Sequence, residues 1–162
     1  MGDPGRTHFD DEGRPRMVDV SGKAVTSRTA MAEGRIVMAR ETLDRIRSGA
    51  MPKGNPLQVA ELAGIVGGKR TADLIPLCHQ LPGVGIEVSL EPDEALPGVV
   101  CRARARVAGQ TGVEMEALTA VAVALLTVYD MVKGVDRGLR IEGIRLLEKD
   151  GGRSGRWTAT AP

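Results

Sequence analysis

Thr111-Gly112-Val113-Glu114-Met115-Glu116-Ala117-Leu118-Thr119-Ala120 leads into a nearly unbroken apolar segment that closes on Tyr129-Asp130-Met131-Val132-Lys133. The pattern predicts one long helix over roughly 113–135, buried along most of its length. Glu114 and Glu116 open it, and Asp130 and Lys133 close it. Charges at both ends of an apolar helix point to sites built at its termini. Fourteen residues separate Glu116 from Asp130, about 21 Å at the α-helical rise and about 40° around the axis. The two share a side of the helix but cannot share a compact site within one chain. Either the ligand is long, or the far end of a second copy's helix lies alongside.

Outward from this helix the pattern changes period. Val84 to Leu90 and Val99 to Val107 alternate, and a loop holding Pro92 and Pro97 joins them as a hairpin. Leu139 to Leu147 reads as a last strand, followed by the flexible loop Gly151-Gly152-Arg153-Ser154-Gly155. Upstream, Met17 to Met38 is broadly extended. Glu41 to Arg47 is a short amphipathic helix with Leu43 and Ile46 inward and Gly49 past its end. Asn55-Pro56 opens another helix, Asn as cap and Pro in the first turn. It carries Leu57, Val59, Leu62, Ile65 and Val66 until Gly67-Gly68 weakens it. The order β-α-α-β-β-α-β predicts an α+β fold of the ferredoxin-like split βαβ type, with an antiparallel sheet packed on helices. Residues 17–162 form one domain on this reading. Residues 1–16, with few apolar residues, form a mobile tail.

Composition narrows the function classes. A chain of 162 residues is long enough for a real core, and its net charge of +1 gives no global basic field for nucleic acid. The two cysteines, Cys78 and Cys101, are too few for a disulfide scaffold and read as buried thiols in a reducing compartment. The first twenty residues lack an apolar signal core, and no apolar run of transmembrane length has suitable flanks. A soluble, cytoplasmic protein with no membrane partner is expected.

Several short motifs invite stronger readings. Gly64 to Thr71 is glycine-rich, but Ala63 stands where a phosphate loop needs its first Gly and Arg70 where it needs Ser or Thr. A small-residue helix end is the better reading. Leu77-Cys78-His79 offers too few ligands for zinc, and adjacent Cys and His rarely face each other. By composition, His79 is a core histidine or an anion contact. Arg102, Arg104 and Arg106 alternate along one strand face, the mark of a solvated surface more than of a phosphate wall. Asp130 and Lys133 are spaced to pair on a helix. Tyr129 and Met131 around them predict an apolar setting that would shift their proton affinities.

Taken together these segments resemble the cyclic pyranopterin monophosphate synthase family of molybdenum cofactor biosynthesis. The matching stretches are Met17-Val18-Asp19-Val20-Ser21 with Lys23; Lys69-Arg70-Thr71 with Asp73 to His79; Thr111 to Thr119; Tyr129-Asp130-Met131 with Lys133; and Gly151-Gly152 with Ser154-Gly155. Ala72 departs from the family pattern, where a tryptophan can appear. So do Gln80, where proline is common, and Arg153, where lysine is common. The resemblance implies a homohexamer, a trimer of dimers, with active sites at subunit interfaces. It implies a lyase that rearranges 3′,8-cyclo-7,8-dihydroguanosine triphosphate to cyclic pyranopterin monophosphate and diphosphate.

Residue by residue, the resemblance makes Asp130, Lys133 and Lys53 catalytic. Leu77, Cys78, His79, Glu114, Met115, Glu116 and Arg28 become substrate-binding. It implies no resident cofactor; magnesium would enter only with the triphosphate, and no carboxylate cluster in the sequence demands it. Two rivals remain. An RNA-recognition domain shares the plan but stacks bases on strand aromatics, which 84–90, 99–107 and 139–147 lack. A non-catalytic purine nucleotide-binding protein of the same fold would keep the pocket without turnover.

Overall fold

The alternating segments on either side of the long helix form a five-stranded antiparallel sheet in this computed structural model, which describes residues 8–10 and 12–160. In chain order the elements are β1 (Thr26–Val37), α1 (Arg40–Arg47), α2 (Pro56–Lys69), α3 (Thr71–Leu74), β2 (Gly85–Asp93), β3 (Gly98–Gly109), α4 (Glu114–Val132), β4 (Arg140–Asp150) and β5 (Trp157–Thr158). The strand order is β2-β3-β1-β4-β5, with every neighbouring pair antiparallel. Without β5 this is the split βαβ order of a ferredoxin-like fold, as the sequence predicts.

Strand alternation sorts the two faces. On β3, Cys101, Ala103, Ala105 and Val107 are buried, while Arg102, Arg104 and Arg106 point outward. The outward arginines meet carboxylates: Arg102 meets Glu33 and Glu91, Arg104 meets Glu148, and Arg106 meets Glu87. The solvated-surface reading therefore holds. On the inner face α4 lies over the sheet, with Ala117, Val121, Leu125, Val128 and Val132 fully buried. By length and composition α4 could cross a membrane, but half of its apolar window is buried inside this domain, as for a core helix.

Several boundaries differ from the sequence reading. Only residues 26–37 of the stretch 17–38 form a strand, because Val20 and Lys23 close a turn at Ser21-Gly22. Pro92 lies inside β2 rather than in the loop. That strand is at the sheet edge, where a missing N–H costs no ladder bond. The 139–147 strand is not the last, since β4 runs to Asp150 and β5 follows, pairing Trp157 with Lys149. Trp157 is the one strand aromatic among the described residues, at an edge, and makes no base-stacking platform.

Helix α2 shows the largest difference. It continues through Gly67-Gly68 to Lys69 and buries its small face, Ala60, Gly64, Gly67 and Gly68, against α4. Val59, Leu62 and Val66 are left exposed. Asn55 caps it as expected, its Oδ1 accepting from the N–H groups of Leu57 and Gln58. Of the segment expected to be mobile, residues 1–7 and 11 lie outside the described residues. The rest folds back as a turn, bridging Phe9 to Pro15.

Candidate active site

The N-terminal end of α4 gathers residues from four parts of the chain. Strand β1 brings Arg28, whose Nε and Nη2 donate to the carbonyls of Gly109 and Gln110 at 2.9 and 3.1 Å. Gln110 in turn donates to the carbonyls of Ser21 and Lys23, both at 3.0 Å, which fixes the 17–23 segment beside it. The chain after α3 brings Leu77, Cys78 and His79. The end of β4 brings Lys149, whose ammonium lies 3.3 Å from Glu114.

These groups line one trough. A hollow of about 570 Å³ holds Lys23, Leu77, Cys78, His79, Glu114 and Met115. It adjoins a narrow neck of about 120 Å³ lined by Lys23, Arg28, Glu114 and Lys149. The neck opens into a cleft of about 620 Å³ lined by Lys23, Arg28, Arg153 and Ser154. Lys23 borders all three. The trough is therefore polarised, with the Glu114 carboxylate and the Cys78 thiol at one end, Arg28 and Arg153 toward the other, and Lys23 along its whole length.

Glu116 sits behind the acidic end, only 3% exposed. Its Oε1 lies 3.9 Å from the Cys78 sulfur, and its Oε2 has no partner. Burial pushes its pKa up, and the nearby Glu114 charge adds to that. Burial and then Glu116 also raise the Cys78 thiol, so this sulfur is a neutral S–H donor and no thiolate nucleophile. Cys78 lines the trough rather than the core, unlike Cys101, which burial pushes to about 12. His79 does not face Cys78. Its Nε2 lies 2.7 Å from the Val18 carbonyl, which can only accept, so the proton is on Nε2. Among the described residues no three His, Cys, Asp or Glu side chains converge as a metal's ligands.

Lys53, Asp130 and Lys133 meet at the opposite end of α4. Lys133 Nζ is 2.6 Å from Asp130 Oδ1. Lys53 Nζ is 4.0 Å from Asp130 Oδ2 and 3.4 Å from the Asp130 carbonyl. All three are exposed, and the apolar enclosure expected from Tyr129 and Met131 is not supplied within one chain. Lys133 first, then Lys53, holds the Asp130 carboxyl below the usual range, while Asp130 raises Lys133. Each group stabilises the other's charged form, as in an ordinary ion pair. The continuous helix between the two clusters preserves the separation of about 21 Å between Glu116 and Asp130.

Sequence reasoning left out Lys149, because β4 was expected to stop at Leu147. It also matched the 151–155 loop to the family's pattern without placing any of its residues in the site, although the loop walls the cationic cleft. Arg153, a basic residue next to Gly151-Gly152, was the available signal.

Fold and trough together define a ferredoxin-like domain with a polarised small-molecule site. Residues 17–152 match the model of the MoaC family. The chain is 64% identical over 153 residues to the cyclic pyranopterin monophosphate synthase of Methylobacterium sp. (strain 4-46), covering 94% of this chain and 96% of that protein. It is 60% identical over 157 residues to the cyclic pyranopterin monophosphate synthase of Cereibacter sphaeroides (strain KD131 / KCTC 12085), covering 97% of this chain and 99% of that protein. This chain belongs to the MoaC family.

Proposed function

We propose that the chain is a cyclic pyranopterin monophosphate synthase, a lyase of molybdenum cofactor biosynthesis. It converts 3′,8-cyclo-7,8-dihydroguanosine 5′-triphosphate to cyclic pyranopterin monophosphate and diphosphate. The observation that carries the reading is the polarity of the trough. A guanine-derived ring offers N–H donors and a triphosphate offers negative charge. Glu114 stands at one end with Glu116 behind it, Arg28 and Arg153 stand at the other, and Lys23 runs along the whole.

Arg28 holds phosphate through the guanidinium edge that its two carbonyl contacts leave open. His79 can add to this only through Nδ1, and only when the ring is protonated. Leu77, Cys78 and Met115 form the wall against the ring. Asp130 with Lys133 serves as general base and Lys53 as general acid. Because these three lie beyond reach of Glu116 in one chain, a second copy completes each site. The exposed Val59, Leu62 and Val66 of α2 and Leu126 of α4 support burial against another copy. A homohexamer built as a trimer of dimers, in the cytoplasm, fits this reading. It needs no resident cofactor, nucleic acid or membrane, and magnesium would arrive on the triphosphate.

The far placement of the catalytic trio also fits a non-catalytic nucleotide-binding protein. Turnover separates the two. The full chain should release diphosphate from the cyclic triphosphate. Asp130→Ala should lose about 100-fold or more of that rate and melt close to wild type, because Asp130 is exposed. No diphosphate release by the wild-type chain would overturn the synthase reading. Near-normal release by Asp130→Ala would remove that residue from the mechanism.

A further inference from the structure

Lys23 borders the hollow, the neck and the cleft alike, yet no regular element carries it. It precedes β1, in a stretch from 17 to 25 that forms neither strand nor helix. Its turn closes locally: the Lys23 N–H donates to the Val20 carbonyl at 2.9 Å, and the Ser21 N–H donates to Asp19 Oδ1 at 2.8 Å. A short turn outside sheet and helix opens easily unless side chains from the body of the domain hold it.

Gln110, half-buried directly after β3, provides such a hold. Its Nε2 lies 3.0 Å from the Ser21 carbonyl oxygen and 3.0 Å from that of Lys23. Carbonyls can only accept, so the amide turns its nitrogen to the turn and uses both N–H donors there. The backbone around the same residue holds a second cation. Arg28 Nη2 donates to the Gln110 carbonyl at 3.1 Å, and its Nε donates to the Gly109 carbonyl at 2.9 Å. One position thus sets the spacing between a cation on a turn and a cation on β1. Gln110 is not among the residues that line the hollow, the neck or the cleft, so it reaches a ligand only through the groups it holds.

We propose that Gln110 is a positioning residue whose side-chain amide sets where Lys23 stands against Arg28, and so how firmly the trough grips its substrate. The inference rests on the synthase reading for the identity of that substrate. The two holds differ in kind. Arg28 is held by main-chain carbonyls, which a substitution at 110 leaves in place. The Lys23 turn is held by the side chain, which a substitution removes. The effect of losing Gln110 therefore travels through Lys23. A misplacement of about 1 Å at one contact can cost up to about 100-fold in rate. A lysine on a flexible stem recovers part of that reach, which leaves an effect of about tenfold. A cation that grips substrate and transition state equally shows this loss in KM and not in kcat.

Gln110→Met keeps length and neutrality but removes both donors, whereas Gln110→Lys keeps donors at the same reach. Hydrogen–deuterium exchange of the full-length, unliganded chain reads the hold itself. Peptides covering 19–25 should exchange about tenfold faster in Gln110→Met than in wild type. Gln110→Lys should restore most of the protection, and both variants should melt close to wild type. Kinetics then test the route. Gln110→Met should raise KM about tenfold with kcat little changed, and should add almost nothing in a Lys23→Gln background. Equal exchange in wild type and Gln110→Met, or the same kinetic cost in both backgrounds, overturns the proposal. Faster exchange in Gln110→Met without any turnover by wild type sinks the synthase reading and leaves the hold on Lys23 standing. Wild-type turnover with equal exchange does the reverse.

Discussion

Packing a carboxyl against a thiol leaves Glu116 with one oxygen that nothing among the described residues satisfies. A buried, unpartnered acceptor costs about 1–3 kcal/mol, a cost that a donor reaching that oxygen would relieve. The raised pKa gives this a measurable sign. A carboxyl whose folded pKa lies above its unfolded value leaves stability untouched below the unfolded value. It penalises the folded state as pH rises through the folded value. Glu116→Gln removes the charge while keeping the shape. It should raise the melting temperature in mildly alkaline buffer, and the gain should vanish in buffer more acidic than the ordinary glutamate value of 4.5. A gain that is the same in both buffers would mean that Glu116 is not charged and penalised as described. At this scale the sequence is informative about surfaces and poor about pairings. The alternation of Arg102, Arg104 and Arg106 announces an outward face. Nothing local announces that Lys53 will meet Asp130 across 77 positions.

At the scale of elements, the contact between α2 and α4 sets where the trough can lie. Gly64 and Gly68 let the two helices approach until a Cβ at 64 would stand 2.9 Å from the Ala120 carbonyl oxygen. Alanine there gains about 1 kcal/mol of helix propensity. Forcing two packed helices apart costs about 1–3 kcal/mol, and backbone cannot yield as a side-chain tip can. Gly64→Ala should therefore lower the denaturation midpoint in spite of the better helix former. A midpoint equal to or above wild type would show that the interface is looser than the geometry says. Reading Gly67-Gly68 as a weak point of α2 followed from propensity alone. When one face of a helix is small and the other is large and apolar, composition does not say which face meets the neighbour. Here the small face does, and the large one is left exposed. The long helix, the hairpin and the Asn55 cap were readable because each has its own local period or capping chemistry.

For the whole molecule, the distance along α4 carries the central claim. The trough and the Lys53–Asp130–Lys133 cluster lie at opposite ends of a straight helix whose core face is packed throughout. No rotamer change closes about 21 Å. The fold itself was readable from element order, while the site was only half readable, because on the proposed function its other half comes from a second copy. Antiparallel pairing across a two-fold axis would set one helix's end beside its partner's start and make two equivalent sites per dimer, as the proposed function requires.

Mixed oligomers test this directly. An inactive Glu116→Ala subunit and an inactive Asp130→Ala subunit are dissociated, combined and reassembled, and diphosphate release is measured. Each heterodimer then holds one intact site and one doubly damaged site. Turnover should return to about a quarter of wild type when the two subunits mix at random. If mass spectrometry confirms the mixed oligomers and they stay as inactive as either parent, these residues do not combine across chains.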